Sequence, residues 1–420
     1  MTEAEPGQGS GRARLALPAD ANGVLPSQVL TRAVELGFLS AGNYRILPES
    51  IQPASVDLRL GEVAYRIRCS FLPDRRPVEV KLKEFVVDEL DLRRDGAVLE
   101  TNRPYLIPLI EELDLPEDIR GKANPKSSTG RLDVFTRVIT DQSFRFDEIR
   151  PGYQGGLYLE VVPLSFTVRV RQGLALNQLR LSAGLARLSD QEILAVHREQ
   201  PLLYREGQAV ADNDLATADG LFLGLDLRGD ASGRVGYRAK PFAPALEVSR
   251  VGGYDWEDYW DPVKREEGDR IVLAPEHFYL LLSQEAVQIP PGYAAEMAAY
   301  DPTSGELRTH YAGFFDPGFG YDAAGRFHGS RAALEVRAHD VPFMIEHGQR
   351  VCKLTFERMV EPPDVLYGES IGSSYQGQTD TLGKHFRRPA ESEEERAPRR
   401  PEPTEPLPFD EPPPPTPSGR

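Results

Sequence analysis

Cysteine is scarce in this sequence, and several other features that would assign it to a particular class are absent. Only Cys69 and Cys352 occur in 420 residues, so no disulfide framework can form, as is typical of proteins in a reducing compartment. No apolar run approaches the roughly 18 residues that are needed to cross a bilayer. Residues 1–20 lack the apolar core of a signal peptide. These absences predict a cytoplasmic protein that has no membrane partner.

Basic residues are also in deficit. The chain carries 49 Lys and Arg against 65 Asp and Glu, which gives a formal net charge of -16. Because a protein that coats nucleic acid needs a basic surface to neutralise phosphates, this charge argues against a nucleic-acid partner. A small anionic ligand is still allowed, but its site must be a local cluster of Lys, Arg and backbone N–H groups.

The common catalytic motifs are missing as well. The chain has neither a GxSxG elbow nor a GxxxxGK[ST] phosphate loop. "HRE" at 197–199 matches the first half of a zinc-deaminase signature, but no PCxxC follows, and its helical context predicts surface charge. Four histidines of the second half are scattered, with no pair at a metal-ligand interval on one predicted element: His310, His328, His339 and His347. The sequence therefore predicts no metal ligands.

Short β-rich runs separated by Gly and Pro dominate the chain, and they predict an all-β barrel or sandwich. Examples are "SVDLRLG", "GLYLEVVPL", "FYLLLS" and "VCKLTFERM". One helix is predicted over "LPSQVLTRAVELGFL", with Ser27 as its N-cap and Gly37 near its end. The predicted organisation is a flexible leader, a first β module, a linker with a helical patch, a second β module and a disordered proline-rich tail: 1–20, 21–180, 181–245, 246–386 and 387–420.

An internal repeat supports two modules. The octet "NPKSSTGR" at 124–131 has a counterpart in "DPTSGELR" at 301–308. "PGYQGGLYLEV" in the first half likewise parallels "DPGFG" at 316–320 together with "AALEVRA" at 332–338. Two tandem copies of one β module are the simplest account of these matches.

The octet has the composition of a phosphate site. Lys126 and Arg131 flank two serines, and Gly130 permits a close approach of the backbone to an anion. The alternative is an exposed hairpin with a solvated charge at each end. Recurrence of the octet in the second module favours a site.

Glu160 is the candidate general base. It stands on a predicted strand among apolar neighbours, where loss of solvation raises a carboxylate pKa toward the range of a general base. The alternative is an edge glutamate paired with a nearby Arg. The same Leu-Glu-Val tripeptide recurs around Glu335, which favours a functional role.

Several of these segments resemble a known family, the 2'-deoxycytidine 5'-triphosphate deaminases, which are related to the trimeric deoxyuridine triphosphatases. The matching segments are "IQPASVDLRLG" (51–61), "KSSTGR" (126–131), "PGYQGGLYLE" (151–160) and "SSYQGQ" (373–378). They span about 24–386, and the doubled length is similar to a subgroup in which two modules are fused. The resemblance implies two tandem dUTPase-like β-barrel or jelly-roll modules with a few short helices.

The resemblance also implies an activity and a set of partners. The activity is zinc-free hydrolytic deamination of dCTP to dUTP and ammonia, within pyrimidine deoxyribonucleotide metabolism. The partner is a small nucleotide, with Mg²⁺ carried by its triphosphate and no protein-bound cofactor. The resemblance further implies a homo-oligomer or a pseudo-trimeric arrangement of modules.

Individual roles follow from the matching positions. The residues expected at the reacting centre are Glu160 as general base, with Ser127 and Arg131. The residues expected to bind the nucleotide are Lys126, Ser128 and Tyr153 in the first module and Tyr375, Gln378 and Lys384 in the closing C-terminal segment. Because sites in this family form between modules, the second module has four possible contributors: Ser304, Arg308, Asp316 and Glu335.

Two departures from the family pattern keep alternatives open. Arg150 stands where the family usually has Asp, whereas the second module keeps Asp316, and Ser374 replaces a family lysine. The closer match of the first module to the family pattern nevertheless favours Glu160 over Glu335 as the active base. The alternative activities are dUTP diphosphatase and a bifunctional deaminase-diphosphatase, and a third alternative is a nucleotide-binding module without turnover.

Overall fold

The structure is a computed structural model that describes most of the chain between the predicted leader and the predicted tail. The described residues are 15, 17–18, 20–298, 307–309 (backbone only), 313–322, 328–338, 340–368, 375–378 and 380–387. The predicted flexible leader and proline-rich tail therefore lie almost entirely outside the described residues. Within the described part, no helix is long and apolar enough to cross a membrane.

The first unit, residues 20–187, is built mainly of short strands. Its strands are β1 Gly23–Val24, β2 Leu39–Ser40, β3 Val56–Arg59, β4 Val63–Ile67, β5 Val86–Asp91, β6 Ala97–Leu99, β7 Tyr105–Asp114, β8 Ile119–Pro125, β9 Val134–Thr140, β10 Glu148–Ile149, β11 Gln154–Pro163, β12 Val168–Val170 and β13 Ala175–Ala183. Its helical elements are α1 Ser27–Glu35, α2 Val78–Leu82, α3 Ser127–Gly130 and a 3-10 turn at Pro48–Ser50.

The second unit, residues 188–387, opens with a helix and continues in strands. Its helical elements are α4 Asp190–Glu199 and 3-10 turns at Asp212–Asp214 and Trp256–Asp258. Its strands are β14 Leu203–Arg205, β15 Gln208–Ala209, β16 Leu221–Gly224, β17 Arg234–Ala239, β18 Leu246–Glu247, β19 Trp260–Lys264, β20 Arg270–Leu273, β21 Phe278–Val287, β22 Tyr293–Ala298, β23 Leu307–Thr309, β24 Phe314–Phe315, β25 Ser330–Ala338, β26 Phe343–Glu346 and β27 Arg350–Arg358.

The sheets of the two units share the order of their main strands. In the first unit β11 lies between β7 and β9, and in the second β25 lies between β21 and β23. The order β1-β13-β8-β10 has its counterpart in β16-β27-β22-β24. The small sheet β12-β6 corresponds to β26-β20, except that the first unit's copy gains β18 from the second unit. The predicted mainly-β fold with a few short helices is confirmed, and both Leu-Glu-Val strands occupy equivalent positions.

Each unit has its own apolar core, and the two cores meet at one edge. The first core is lined by the inward side chains of β3, β7, β11 and β13, and the second by those of β16, β21, β25 and β27. Trp260 and Phe278 of the second unit, with Leu382 and Phe386 near its end, pack into the first core. Burial of apolar side chains, at roughly 25 cal/mol per Å², therefore stabilises the contact between the units as well as each unit.

The two predicted helices form, with one correction. The first begins at Ser27, but its N-cap is Pro26, so the prediction that Ser27 is the N-cap is wrong. Its end is as expected, since Gly37 has a φ of 77° that favours glycine. The second helix starts with a capping box in which Ser189 and Glu192 satisfy each other's backbone amides.

The predicted linker at 181–245 is corrected by the sheet topology. Strands β14 and β17 pair with β21, and β16 pairs with β27, so these strands belong to the second unit. The change of unit therefore falls near residue 187. The prediction of surface charge at 197–199 also fails for His197, which is buried with its Nε2 2.8 Å from the carbonyl oxygen of Val210.

Candidate active site

The polar octet at 124–131 folds as a single helical turn and not as a hairpin. Strand β8 ends at Pro125, whose missing N–H cannot extend a ladder. Lys126 is extended (φ -67°, ψ 144°), and the amide of Arg131 then donates to the carbonyl of Ser127 at 3.1 Å. This turn places the serine side chains at the edge of a cavity.

The cavity lies between the two units and has a volume of about 460 Å³. Small-molecule sites in proteins typically occupy roughly 300–1,000 Å³. Of the residues predicted from the sequence, nine line it: Lys126, Ser127, Ser128, Arg131, Asp316, Glu335, Tyr375, Gln378 and Lys384. The structure thus brings the first unit's octet together with residues of the second unit.

Glu335 is the carboxylate that lies with Ser127 and Arg131. It stands on β25 and is only 6% exposed. Burial raises the pKa of Glu335 to about 8, the nearby Arg131 guanidinium opposes that rise, and Asp133 adds to it. A carboxyl group with such a pKa exchanges its proton near neutral pH, which suits a general base or acid.

Glu160 lies outside the cavity, so its predicted place beside Ser127 and Arg131 is corrected. It is fully buried on β11, directly across from Arg137 on β9. Arg137 donates to Glu160 Oε1 through Nη2 at 2.5 Å and Nε at 3.1 Å. The Arg137 guanidinium also stacks on Phe146, 3.7 Å from the ring centroid. The alternative interpretation, a glutamate paired with an arginine, therefore describes Glu160, although β11 is an interior strand.

Arg131 is buried, and its contacts come from the C-terminal segment. Nη2 donates to Gln378 Oε1 at 2.7 Å, and Nη1 donates to the carbonyls of Thr381 and Leu382 at 3.2 and 3.3 Å. The guanidinium lies 3.7 Å from the ring centroid of Tyr375. The C-terminal segment thus holds most of the guanidinium, and Nε is buried without a partner in the described part of the chain.

Lys126 faces the cavity with its ammonium paired to Asp57. Asp57 comes from β3, and its Oδ1 is buried without a hydrogen-bond partner in the described part of the chain. Lys126, Arg131 and Lys384 together supply three cations to the lining. A polyanionic ligand entering the cavity can therefore draw Lys126 away from Asp57.

Asp316, a predicted contributor from the second unit, is held by Arg180 of the first. Arg180 Nη2 lies 3.0 Å from Asp316 Oδ1, and Nη1 lies 3.0 Å from Glu357 Oε2. Burial raises the pKa of Asp316, and Arg180 opposes that rise. Arg150 takes the corresponding position before Pro-Gly in the first unit, so the acidic residue at this position belongs to the second unit, which also supplies Glu335.

The turn that carries Asp316 depends on two glycines. Gly318 has a φ of 99°, and a Cβ there would lie 2.7 Å from the amide nitrogen of Tyr367. At Gly320, with a φ of 63°, a Cβ would lie 2.0 Å from the carbonyl oxygen of Val287. These positions accept only glycine, and the tight turn presents Asp316 and Phe319 to the cavity.

Tyr153 does not line the cavity. Tyr153 is fully buried in the first core, where its hydroxyl donates to the carbonyl of Gly156 at 2.7 Å, and burial raises its pKa to about 12. The predicted contact of Tyr153 with substrate is therefore corrected to a structural role. Ser304 lies outside the described residues, and Arg308 is described only as backbone in β23.

Several lining residues were not predicted, among them Asp57, Gln178 and Phe314. Asp57 falls within "IQPASVDLRLG", so that segment carried a usable signal. Gln178 lies on β13 and Phe314 on β24, and neither stands in a distinctive motif. They enter the site because sheets of different units face each other.

Comparisons with known proteins match both units to one enzyme family. Residues 21–185 match the family described as 2'-deoxycytidine 5'-triphosphate deaminase (DCD) N-terminal domain, and residues 189–386 match the C-terminal domain of the same enzyme. A crystal structure of 2'-deoxycytidine 5'-triphosphate deaminase from Agrobacterium tumefaciens superposes with a TM-score of 0.76 at 44% sequence identity. That match covers 82% of this chain and 100% of the Agrobacterium chain.

Two curated relatives are shorter proteins. A protein of Halobacterium salinarum named "dCTP deaminase, dUMP-forming" is 28% identical over 209 residues, which are 48% of this chain and 94% of that protein. A "dCTP deaminase" of Natronomonas pharaonis is 33% identical over 127 residues, 29% of this chain and 60% of that protein.

Proposed function

Because this chain belongs to the family of 2'-deoxycytidine 5'-triphosphate deaminases, we propose that it hydrolyses dCTP to dUTP and ammonia in the cavity between its two units. One observation carries the assignment: a buried carboxyl group, Glu335, with a pKa near 8 stands in one cavity with the Ser127 turn and Arg131. The product would feed pyrimidine deoxyribonucleotide metabolism in the cytoplasm.

In the proposed reaction, Glu335 moves the protons. Its carboxylate takes a proton from a water molecule as the water oxygen adds to C4 of the cytosine ring, and Glu335 passes that proton to N3. The carboxylate then takes the remaining proton from the new C4 hydroxyl group and gives it to the exocyclic nitrogen, so that the C4–N bond breaks, the C4 carbonyl forms and ammonia leaves. Water and dCTP are consumed and dUTP and ammonia are formed, so the atoms balance.

Ser127 and Arg131 would stabilise the charge that develops on the ring. Arg131 retains an unpartnered Nε among the described residues, and donors that are already in place cost little reorganisation during the reaction. Lys126, Ser128 and Lys384 would bind the triphosphate, whose Mg²⁺ would be carried by the phosphates. The described lining contains carboxylates but neither His nor Cys, the usual zinc ligands, which supports water activation by Glu335.

The finer fold assignment follows from the same family. We propose that each unit is a dUTPase-like β-barrel or jelly-roll module, since both contain the same strand order around a central Leu-Glu-Val strand. We also propose that the chain forms a homo-oligomer, as the family resemblance implies.

The test measures ammonia and pyrophosphate separately, with dCTP or dUTP as substrate in the presence of Mg²⁺. Ammonia from dCTP without pyrophosphate supports the proposal. Equal release of both products would identify a dUMP-forming enzyme, the activity in the name of the Halobacterium relative. Pyrophosphate from dUTP alone would identify a diphosphatase, and no product from either substrate would identify a binding module.

A zinc-selective chelator provides a second test. Loss of activity to the chelator, with recovery on adding zinc, would overturn the assignment of water activation to Glu335.

The pH dependence follows from the raised pKa of Glu335. The reaction needs the carboxylate, and the free enzyme holds this group protonated until the pH passes about 8. We therefore expect kcat/KM for dCTP to rise with pH and to level off above about 8, as measured by initial rates of ammonia release. If kcat/KM levelled off near the ordinary pKa of glutamate instead, this would contradict the buried environment assigned to Glu335. A rate that falls as the pH rises through 8 would mean that the protonated form of Glu335 is active.

Lys126→Ala should weaken dCTP binding more than it slows turnover. Removal of the ammonium takes away a phosphate contact and leaves Asp57 facing the triphosphate, so we expect KM to rise about tenfold or more with a small change in kcat. Steady-state kinetics with dCTP and with deoxycytidine test this prediction, because the nucleoside has no phosphates. Lys83→Ala, at an exposed position, is the matched control. An equal loss of activity with dCTP and with deoxycytidine would mean that Lys126 contacts the cytosine ring and not the phosphates.

A further inference from the structure

The C-terminal segment is docked on the cavity by the connection between β17 and β19 of the second unit. We call residues 375–378 and 380–387 the strap. The strap supplies the contacts of Arg131, namely Gln378 Oε1, two backbone carbonyls and the ring of Tyr375. The position of Arg131 therefore depends on the position of the strap.

The strap is held by residues 246–260, which we call the bracket. The bracket begins with β18, which pairs in parallel with β12 of the first unit. It is this strand that extends the first unit's small sheet to three strands, whereas the second unit's sheet β20-β26 has two. The bracket is thus anchored on the unit that contains Arg131.

Backbone hydrogen bonds join the bracket to the strap along four positions. The amide of Gly252 donates to the carbonyl of Lys384 at 2.9 Å, and those of Gly253 and Tyr254 donate to the carbonyl of His385 at 3.0 and 3.2 Å. The amide of Arg387 returns a bond to the carbonyl of Tyr254 at 2.9 Å. Such a ladder fixes the register of the strap on the bracket.

Side chains anchor the end of the strap. Phe386 is 4% exposed and lies 5.3 and 5.8 Å, between ring centroids, from Tyr259 and Trp260. Arg387 Nη1 lies 2.6 Å from Asp255 Oδ1. The apolar contact supplies most of the stabilisation, because Asp255 is 54% exposed and an exposed ion pair adds little.

We propose that the bracket keeps the strap docked when no nucleotide is bound, and that Phe386 and Arg387 are thereby positioning residues that hold Arg131 in place for the reaction proposed above. A closing segment that is ordered only by the triphosphate would pay its ordering entropy at each binding event. In this chain, the contacts with the bracket would already have ordered the strap before the nucleotide binds, so binding would not lose that entropy.

Docking can be measured without any enzyme assay. The only two tryptophans of the chain, Trp256 and Trp260, both lie in the bracket, so tryptophan emission reports on the strap. In the protein without nucleotide, we expect slow hydrogen exchange of the four amides that donate between the two segments, those of Gly252, Gly253, Tyr254 and Arg387. In Phe386→Ala we expect faster exchange of the same amides and a shifted emission. Phe242→Ala, at a fully exposed position, is the matched control and should change neither.

The kinetic readout separates positioning from mere stability. Phe386→Ala should lower kcat about tenfold, and the acid limb of kcat/KM should move to higher pH, because Arg131 no longer opposes the raised pKa of Glu335 while burial and Asp133 still raise it. Arg387→Asp should show both effects more weakly, and exchanging the charges with Asp255→Arg should restore them. If Phe386→Ala does not fold, the comparison of Arg387→Asp with the double variant Arg387→Asp/Asp255→Arg decides whether the strap positions Arg131.

Two outcomes would overturn the inference: rapid exchange of the amides that donate between bracket and strap in the unliganded wild-type protein, or Phe386→Ala and Arg387→Asp variants that keep the wild-type kcat and pH limb. The inference rests on the proposed function only in its kinetic half. Absence of ammonia release by the wild-type chain would defeat the proposed function, whereas the exchange and fluorescence results would still decide whether the strap is docked.

Discussion

Glu335→Gln should reduce ammonia release from dCTP by about a thousandfold, within the roughly 10²–10⁴ range that general acid–base groups supply, while nucleotide binding survives. The amide has nearly the volume of the carboxyl group but cannot take the proton from water. Binding should persist because Lys126, Ser128 and Lys384 line the same cavity independently of position 335. Steady-state ammonia release and calorimetric binding of dCTP are the two measurements.

The paired control is Glu160→Gln, the same substitution at the equivalent strand position of the first unit. Glu160 is bonded to Arg137 and lies outside the cavity, so kcat should remain within a few-fold of wild type. The cost should appear in stability, on the order of 1–3 kcal/mol, because a largely buried pair loses one charge. The opposite pattern, with ammonia release lost in Glu160→Gln and kept in Glu335→Gln, would return the base to the first unit.

Glu335→Gln should also show how much folding stability the buried carboxyl group costs when it is ionised. The folded-state pKa of Glu335, about 8, lies above its ordinary value of 4.5, so the folded state binds this proton more tightly than the unfolded state. The resulting stabilisation is complete below about 4.5 and is lost as the pH rises through 8. The glutamine variant lacks this loss, and its melting temperature should exceed that of wild type increasingly from pH 5 to pH 8.

Local patterns predicted most of the fold. Apolar periodicity and Gly or Pro boundaries located the long strands, and the internal repeat predicted the matching positions of β11 and β25. The strands at 203–239 were missed because they are short and are interrupted by polar turns such as Asp212–Asp214. Their pairing partners lie in β21 and β27, which local sequence does not reveal.

The choice between the two glutamates shows where sequence reasoning stops. The residue types were right, but the repeat made Glu160 and Glu335 look equivalent. What separates them is their neighbours. Glu160 faces Arg137 across one strand pair, whereas Glu335 lies near Arg131 across the contact between the units. At that contact the neighbouring ion pair, Asp133–Arg337, joins residues that are 204 positions apart in the sequence. Only the three-dimensional arrangement of the units brings Glu335 and Arg131 together.

Arg180→Ala should be the most destabilising single substitution at the contact between the units. Arg180 is 2% exposed, donates to the carbonyl of Ala295 at 3.1 Å and pairs with Asp316 and Glu357. Removal leaves two carboxylates without their partner, and breaking a buried pair in this way costs about 3–5 kcal/mol. Thermal and denaturant unfolding measure this loss. Arg145→Ala, which breaks an exposed pair with Glu148, is the control and should cost at most about 1 kcal/mol.

The loss in Arg180→Ala should depend on pH in a direction that identifies its cause. Burial already raises the pKa of Asp316, and Arg180 is the group that opposes it most. Without Arg180 the pKa of Asp316 rises further, so the variant regains stability as the pH falls and Asp316 becomes neutral. Asp316→Asn combined with Arg180→Ala should therefore recover part of the stability at neutral pH. A loss that is the same at pH 5 and pH 8 would mean that Arg180 stabilises the contact by packing against Phe314, 4.0 Å from the ring centroid, and not by its charge.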